Sequence, residues 1–313
     1  MCTKNVMISI IIVNYNTREL LINCLNSIYK ETKGVDFEII VVDNNSNDGS
    51  EFAIKEKFKN VVFIQTGENL GFGRANNVGI NRSAGKYIFL LNSDTILCNN
   101  SLKIFFDFYE RYDNIIGKIG AVGGELLQYD GKLRNHSSQY FPQMHDEFKF
   151  IWNAFISKIS IKMILETKKE VVLEQNEKFK KVDYVTGADL FISRSKMIEV
   201  GCFDKNFFMY FEETDLQKRL VKMGFNNYLI SGTQIIHYEG GSFGKKKSGI
   251  RAYMLDQSRF YYYKKHNSMV FYFFFRVLYF IITIPLFFDF RLKYAMRKKL
   301  LMLRLGFEIN IVT

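Results

Sequence analysis

A chain of 313 residues that is 48% apolar and 16% aromatic, with only two prolines, can bury a large core, which excludes an intrinsically disordered protein. Its net charge of +11 asks for an anionic partner, and nucleic acid, a lipid surface and a phosphorylated substrate all satisfy that demand. The excess gathers late in the chain, at Lys245 to Lys247, Lys264, Lys265, Arg291, Lys293, Arg297 to Lys299 and Arg304, which predicts a basic C-terminal surface. The four cysteines, Cys2, Cys24, Cys98 and Cys202, form no CxxC pair, so neither a disulfide framework nor a zinc site is expected and a reducing, cytoplasmic setting is the simplest.

In chain order, "MISIIIV" at 7–13 is a β-branched run with apolar residues on both faces, as in a buried parallel strand. No small-residue cleavage site follows it, so it reads as core rather than as a signal peptide. The next stretch places Leu20, Leu21, Cys24, Leu25 and Ile28 at helical spacing, with Thr17 set to cap. "FEIIVVDNNS" then reads as strand and turn, "GSEFAIKEKF" as helix, "VVFIQT" as strand, "GRANNVGINRS" as helix and "YIFLLNSDT" as strand. Strands alternating with helices at this spacing predict an open α/β sheet, because parallel strands need crossovers of that length. Beyond it, "IGAVGGELL" predicts a strand, 146–180 a helical or irregular stretch, and "VDYVTGADLFISRSKMIEV" either two strands or a strand and a helix.

In such sheets ligands bind beyond the carboxyl ends of the strands, so the polar residues there are candidates. Asp43 ends a strand, where it can either serve a ligand or accept N–H bonds in an Asx turn. Glycines 71, 73 and 79 in "NLGFGRANNVG" depart from GxGxxG, which disfavours a nicotinamide-dependent oxidoreductase and leaves a loop that lets backbone approach a nucleotide sugar. Asp94 follows the apolar "FLLNS", well placed for a hard cation, although Ser93 and Asp94 can also cap the next segment. Glu212, Glu213 and Asp215 crowd the first turn of a predicted helix, where the dipole favours acids and Asp215 can pair with Arg219. The aromatic "FDKNFFMYF" before them predicts at least one carboxylate in a confined, partly dry place, the setting that raises a pKa toward general-base use. His237 ends another apolar strand, as a structural residue or a ligand.

Seven stretches in order, "SIIIVNYNTRELLINCLNSI", "VVDNNSNDGS", "NLGFGRANNVGI", "LLNSDT", "TGADLFISR", "FDKNFFMYFEETDLQKRL" and "IIHYEGGS", resemble the family 2 glycosyltransferases of GT-A fold, and in particular their rhamnosyltransferase-like branch. The resemblance covers about residues 7 to 265. It implies a mostly parallel open sheet flanked by helices, with a catalytic unit over 1–245 and a C-terminal hydrophobic, basic helical appendage over 246–313. It further implies an inverting, metal-assisted transfer from a nucleotide diphosphate sugar, dTDP-rhamnose or a UDP-hexose, to a glycan or lipid-linked hydroxyl in cell-surface polysaccharide or O-antigen synthesis.

Carried over position by position, Asp43, flanked by Val13, Asn14 and Tyr15, resembles the acid that meets the nucleotide base. Asn69, Gly71 and Ala75 resemble the loop that shapes the donor pocket. Asn92-Ser93-Asp94 stands where the family has a DxD motif, with its first acid missing, so Asp94 with His237 would hold Mg²⁺ or Mn²⁺. Glu213 matches the second acid of the "ED" motif, the general base. Gly187, Ala188, Asp189, Glu212 and Asp215 take acceptor-side or supporting places.

Residues 269–288, "MVFYFFFRVLYFIITIPLFF", are about as long as a membrane-spanning helix needs, but Arg276 and Pro285 interrupt them. Flanked by "KKH" and "RLKYAMRKK", they predict an anchor lying at the inner face of the cell membrane, with a true span or a helical cap as the other forms. Aromatics of membrane character beside the basic residues, and no nucleic-acid motif, argue against a nucleic-acid partner. A sugar- or nucleotide-binding scaffold without turnover is the competing class.

Overall fold

The structure, a computed structural model, describes residues 6–128, 130–133, 140–143, 173, 177–238, 248–284 and 294–306. Most of 146–180, the glycines after His237, Lys245 to Lys247 and the 285–293 end of the apolar run lie outside the described residues.

The N-terminal alternation is realised as β1 (Ile8–Asn14), α1 (Arg18–Glu31), β2 (Phe37–Asp43), α2 (Ser50–Lys57), β3 (Val61–Gln65), α3 (Phe72–Arg82) and β4 (Tyr87–Asn92). β1 pairs in parallel with β2 and β4, and β2 with β3. The β-branched runs suit this place because both faces are covered: Ile8, Ile10 and Ile12 enter one apolar cluster and Ile11 the other. After β5 (Thr95–Leu97) comes α4 (Ser101–Tyr112), which buries Leu102, Phe105, Phe108 and Tyr109 on one face. Its helical spacing is plain, although no expectation was attached to that stretch.

The sheet continues through β6 (Ile119–Gly123), β8 (Phe179–Val182), β9 (Asp189–Ser193) and β10 (Asn226–Ile230), in the order β3-β2-β1-β4-β9-β6-β10-β8. β9 runs antiparallel to β4, so this half is mixed rather than parallel, and "DLFISRSKMIE" becomes β9 followed by the short α5 (Arg194–Glu199). β5, β7 (Leu126–Leu127) and β11 (Ile235–His237) form a small second sheet in the order β5-β11-β7.

α6 (Glu212–Lys222) packs beside α3 and beneath β6 and β10. Among the described residues three further helices follow: α7 (Ser248–His266), α8 (Met269–Thr283) and α9 (Tyr294–Leu305). They share a separate aromatic cluster, which includes Tyr253, Phe260, Tyr262, Tyr263, Phe275 and Tyr279, with Phe207 and Phe211 from the loop before α6. Inside it Asp256 ties them together, accepting from Arg259 at 2.5 Å and Tyr279 at 2.6 Å and pairing with Arg304 at 2.8 Å. Part of the predicted basic surface is therefore internal, because Arg304 turns toward Asp256 and Lys265 toward Asp204 and Asp215.

Candidate active site

The strand register brings the candidates to one edge. Asn14 lies opposite Asp43, Val13 opposite Asn92 and Leu91 opposite Asp189. At this edge Asn14 is a hub: its Nδ2 donates to Asp43 Oδ1 at 2.6 Å and to Ser50 Oγ at 3.0 Å. Asp43 also accepts from the Ser46 backbone N–H at 2.8 Å and from the Ser46 hydroxyl at 2.7 Å. The Asx turn is thus formed, and it holds Asp43 buried with both carboxylate oxygens engaged. Thr17 does not cap α1 through its side chain. Its hydroxyl donates instead to Asn14 Oδ1 at 2.7 Å and meets Ser93 Oγ at 2.9 Å, a better use for a buried hydroxyl beside two polar partners. Tyr15 is half-buried next to this hub.

The glycine-containing loop is built around Gly71, whose φ of +80° few side chains adopt. A Cβ there would stand 2.1 Å from the Phe208 carbonyl oxygen, which accepts from the Phe72 N–H at 3.0 Å. Asn69 Oδ1 accepts from the Gly71 N–H at 3.0 Å, and Asn44 Nδ2 donates to the Gly71 carbonyl at 3.0 Å. Ala75 is buried behind them in α3. Asn77 completes the bracket by clasping both the N–H and the C=O of Phe203, at 3.0 and 2.8 Å.

Asp94 and His237, far apart in sequence, meet because β5 and β11 pair: His237 Nε2 lies 3.2 Å from Asp94 Oδ1, and Asn92 Nδ2 lies 3.3 Å from the same nitrogen. One carboxylate, one imidazole and a neutral amide at this spacing fit part of the sphere of Mn²⁺ or Mg²⁺. Among the described residues no group of three or more His, Cys, Asp and Glu side chains gathers, so diphosphate oxygens and water would have to complete it.

Near the 186–189 segment that leads into β9 lies the start of α6. Tyr210 and Phe211, just before it, both adopt positive φ, at 72° and 66°, a strained entry for aromatic residues. Of the aromatic run, Phe207 and Phe211 go into the C-terminal helical cluster. The expected confinement falls on Glu212, which is buried with Oε2 lacking a hydrogen-bond partner among the described residues. Burial first, and the charge of Glu213 second, push its pKa well above the usual carboxylate range. Glu213 is half-buried, and Gly187 lies against it: a Cβ on Gly187 would stand 3.6 Å from Glu213 Cβ and 3.2 Å from the Phe72 ring.

Ala188, one residue on, accepts from the Asn92 N–H at 3.0 Å, so the 186–189 loop touches both the Glu213 side and the Asp94 side. Asp189 is buried, accepts from the Gly124 N–H at 2.8 Å through Oδ2, and leaves Oδ1 without a hydrogen-bond partner among the described residues. Burial raises its pKa well above the ordinary value. Gln217, which the sequence did not single out, clamps this loop to α6 by pairing with both the N–H and the C=O of Val185, at 2.8 and 2.7 Å. Its place four residues after Glu213 on the buried face was the available signal.

Asp215 turns away from the loop. Arg219 Nε donates to it at 2.9 Å, as the spacing predicts, and His266 Nε2 at 2.8 Å and Lys265 Nζ at 2.8 Å reach it from the end of α7. Burial opposes its ionisation, but the bond from His266 and the charges of Arg219 and Lys265 outweigh this and pull its pKa to about 2. His266 itself is shifted down, by burial first. A neutral ring that donates through Nε2–H and receives Lys222 Nζ at Nδ1, 3.4 Å away, accounts for both shifts.

With these residues in place, the family profile decides between enzyme families: Glycosyl transferase family 2 matches residues 9–169, half of the chain. The chain belongs to glycosyltransferase family 2. This glycosyltransferase is similar to the N-acetylglucosaminyl-diphospho-decaprenol L-rhamnosyltransferase of Mycobacterium tuberculosis, 26% identical over 218 residues that cover 66% of the chain and 68% of the relative. It also resembles the poly(ribitol-phosphate) β-N-acetylglucosaminyltransferase TarP of Staphylococcus aureus, 33% identical over 122 residues, or 37% of each protein. Its fold matches the mannosyltransferase PcManGT from Pyrobaculum calidifontis, solved with GDP-Man and Mn²⁺, with a TM-score of 0.54 at 15% identity over 98% of this chain and 77% of that one. It matches GalNAc-T7, solved with UDP, GalNAc and Mn²⁺, with a TM-score of 0.54 at 15% identity, over 83% of this chain and only half of that one. The expected GT-A architecture, a mostly parallel sheet flanked by helices with a helical C-terminal part, is the one found.

Proposed function

We propose that this glycosyltransferase catalyses an inverting transfer from a nucleotide diphosphate sugar to a hydroxyl of a lipid-linked or polysaccharide acceptor in cell-envelope polymer synthesis. The observation that carries this reading is the 186–189 loop, which has Gly187 against Glu213 and Ala188 bonded to Asn92, beside Asp94 and His237. A base and a leaving-group site on either side of one short loop are what a single displacement requires.

In the proposed reaction the acceptor oxygen forms the new bond to the anomeric carbon as the bond to the diphosphate oxygen breaks. Glu213 takes the hydroxyl proton, and the diphosphate leaves with the electron pair. Glu212 is the weaker candidate for base because it is buried, and burial first pushes its pKa well above the usual carboxylate range. Asp94 and His237, with Asn92 beside them, would hold Mg²⁺ or Mn²⁺, which when bound neutralises charge developing on the diphosphate. Asp43, with Val13, Asn14 and Tyr15, and the loop of Asn69, Gly71 and Ala75 form the nucleotide end, with the catalytic unit spanning 1–245 and the helical part 246–313. Asp189 supports the acceptor side, and Asp215 supports α6 by tying its first turn to the end of α7.

The mycobacterial relative is named for L-rhamnose transfer to a diphospho-decaprenol acceptor, which supports dTDP-rhamnose as donor and work at the cytoplasmic face of a membrane. The test offers a panel of nucleotide sugars with Mn²⁺ or Mg²⁺ and measures the nucleotide diphosphate released. Release of dTDP is expected, abolished by Glu213→Gln while donor binding persists. Release of UDP would replace the donor, and release from none by folded protein would replace the enzyme reading with a binding scaffold.

A further inference from the structure

α8 carries Val270, Phe273, Phe274, Val277, Leu278 and Ile281 at spacings i, i+3, i+4, i+7, i+8 and i+11, the pattern of an apolar stripe that faces a core. Here the stripe faces outward: Val270, Phe273 and Phe274 are 69%, 63% and 62% exposed. The opposite side of the helix, through Phe275, Tyr279 and Thr283, is already buried against α7 and α9. Both sides of α8 are therefore apolar, and one of them lacks a cover within the described residues.

Arg276, the single charged residue of α8, does not break this face. It turns inward, donates to the carbonyls of Leu303 at 2.6 Å and Arg304 at 2.9 Å, and stacks 3.9 Å from the Phe260 ring centroid. It thereby joins the Gly306 N–H at the Leu303 carbonyl and reaches the Arg304 carbonyl as well, at the end of α9 where helix carbonyls lack partners further along the helix. The interruption expected from the sequence is a device that leaves the outer stripe free of charge.

We propose that the outer face of α8 docks in the plane of an anionic lipid surface. At 15 residues α8 is about 22 Å long, short of the roughly 30 Å hydrocarbon core, and no described helix is long and apolar enough to cross a membrane. Its phenylalanines suit the boundary between headgroups and acyl chains. Neither α8 nor α9 contains an acidic residue, and Lys264 and Lys298 are exposed on the neighbouring helices. That charge complements an anionic leaflet, whereas a second copy of a +11 chain would meet it with repulsion.

The docking rests on the reading above and extends it. The cluster beneath α8 includes Phe207 and Phe211, and ring contacts run from Phe275 of α8 through Tyr263 and Tyr262 to Phe211, which directly precedes Glu212 and Glu213.

The experiment is flotation of the whole protein with phosphatidylcholine vesicles that contain or lack phosphatidylglycerol. Binding is expected on the anionic vesicles and is expected to weaken by roughly a hundredfold or more in Phe273→Asp/Phe274→Asp. Lys264→Glu/Lys298→Glu should weaken it too, and added salt should mimic that change. Vesicle binding that ignores these substitutions overturns the proposal. So does a dimer, seen by light scattering, that Phe273→Asp/Phe274→Asp splits, since a second copy would then own the face. Flotation needs no turnover, so its failure is separable from a failure to release nucleotide diphosphate. Both residues are exposed, and an unchanged circular dichroism melt checks that the variants fold.

Discussion

Replacing Asp215 by Asn removes the charge that joins the first turn of α6 to the end of α7. In the folded chain Asp215 titrates near 2 instead of 3.8. Each pKa unit corresponds to about 1.4 kcal/mol, so its ionised form contributes about 2.5 kcal/mol to stability. The sign follows from the depression: the contribution is complete above pH of about 4 and is lost as pH falls through 4 toward 2. The substitution also leaves Arg219 and Lys265 without their shared carboxylate, so the total loss at pH 7 is on the order of 3 to 5 kcal/mol. Urea unfolding followed by far-ultraviolet circular dichroism, at neutral pH and in steps down to pH 2, measures both quantities. The wild type should lose stability through the acid limb, while Asp215→Asn starts lower and follows a flatter course. Equal stability at pH 7, or parallel acid limbs, would refute the network as described. A milder loss in His266→Ala, with Arg219 and Lys265 still in place, is the internal check.

Gly71→Ala should destabilise the chain by about 2 to 4 kcal/mol, since the new methyl meets a backbone carbonyl at a positive φ; an unchanged melting temperature would contradict this. Asp94→Asn and His237→Ala should each raise the Mn²⁺ concentration needed for nucleotide diphosphate release, by more than the about 10- to 100-fold typical of supporting partners; an unaltered Mn²⁺ titration would remove them from the cation site. Glu212→Gln should gain stability relative to wild type as pH rises. The raised pKa means that the folded state holds a proton the unfolded chain releases, so wild-type stability falls as pH rises above the ordinary carboxylate value of 4.5, and chemical denaturation in steps upward from that pH reads the difference.

What the sequence determined by itself was local. The β-branched runs and helical spacings of the first ninety-odd residues predicted β1 to β4 with their crossovers, because periods of 2 and 3.6 register which residues share a face. The pairing of Asp215 with Arg219 was legible for the same reason, four residues being one helical turn. Tertiary structure decided what no such period records. His237 reaches Asp94 because two short strands align, and Gly71 is required by Phe208, which belongs to a distant loop. His266 and Lys265 meet Asp215 across the gap between two helices. Glu212 and Glu213 are identical in type and adjacent in sequence, yet burial sets them apart and pushes the pKa of the first well above the usual carboxylate range. Arg276, which seemed to break the apolar run, turns inward to cap α9 and leaves the outer face of α8 uncharged. Contacts between distant segments and the desolvation that shifts a proton depend on where the chain closes on itself, and neighbouring residues carry no signal of that.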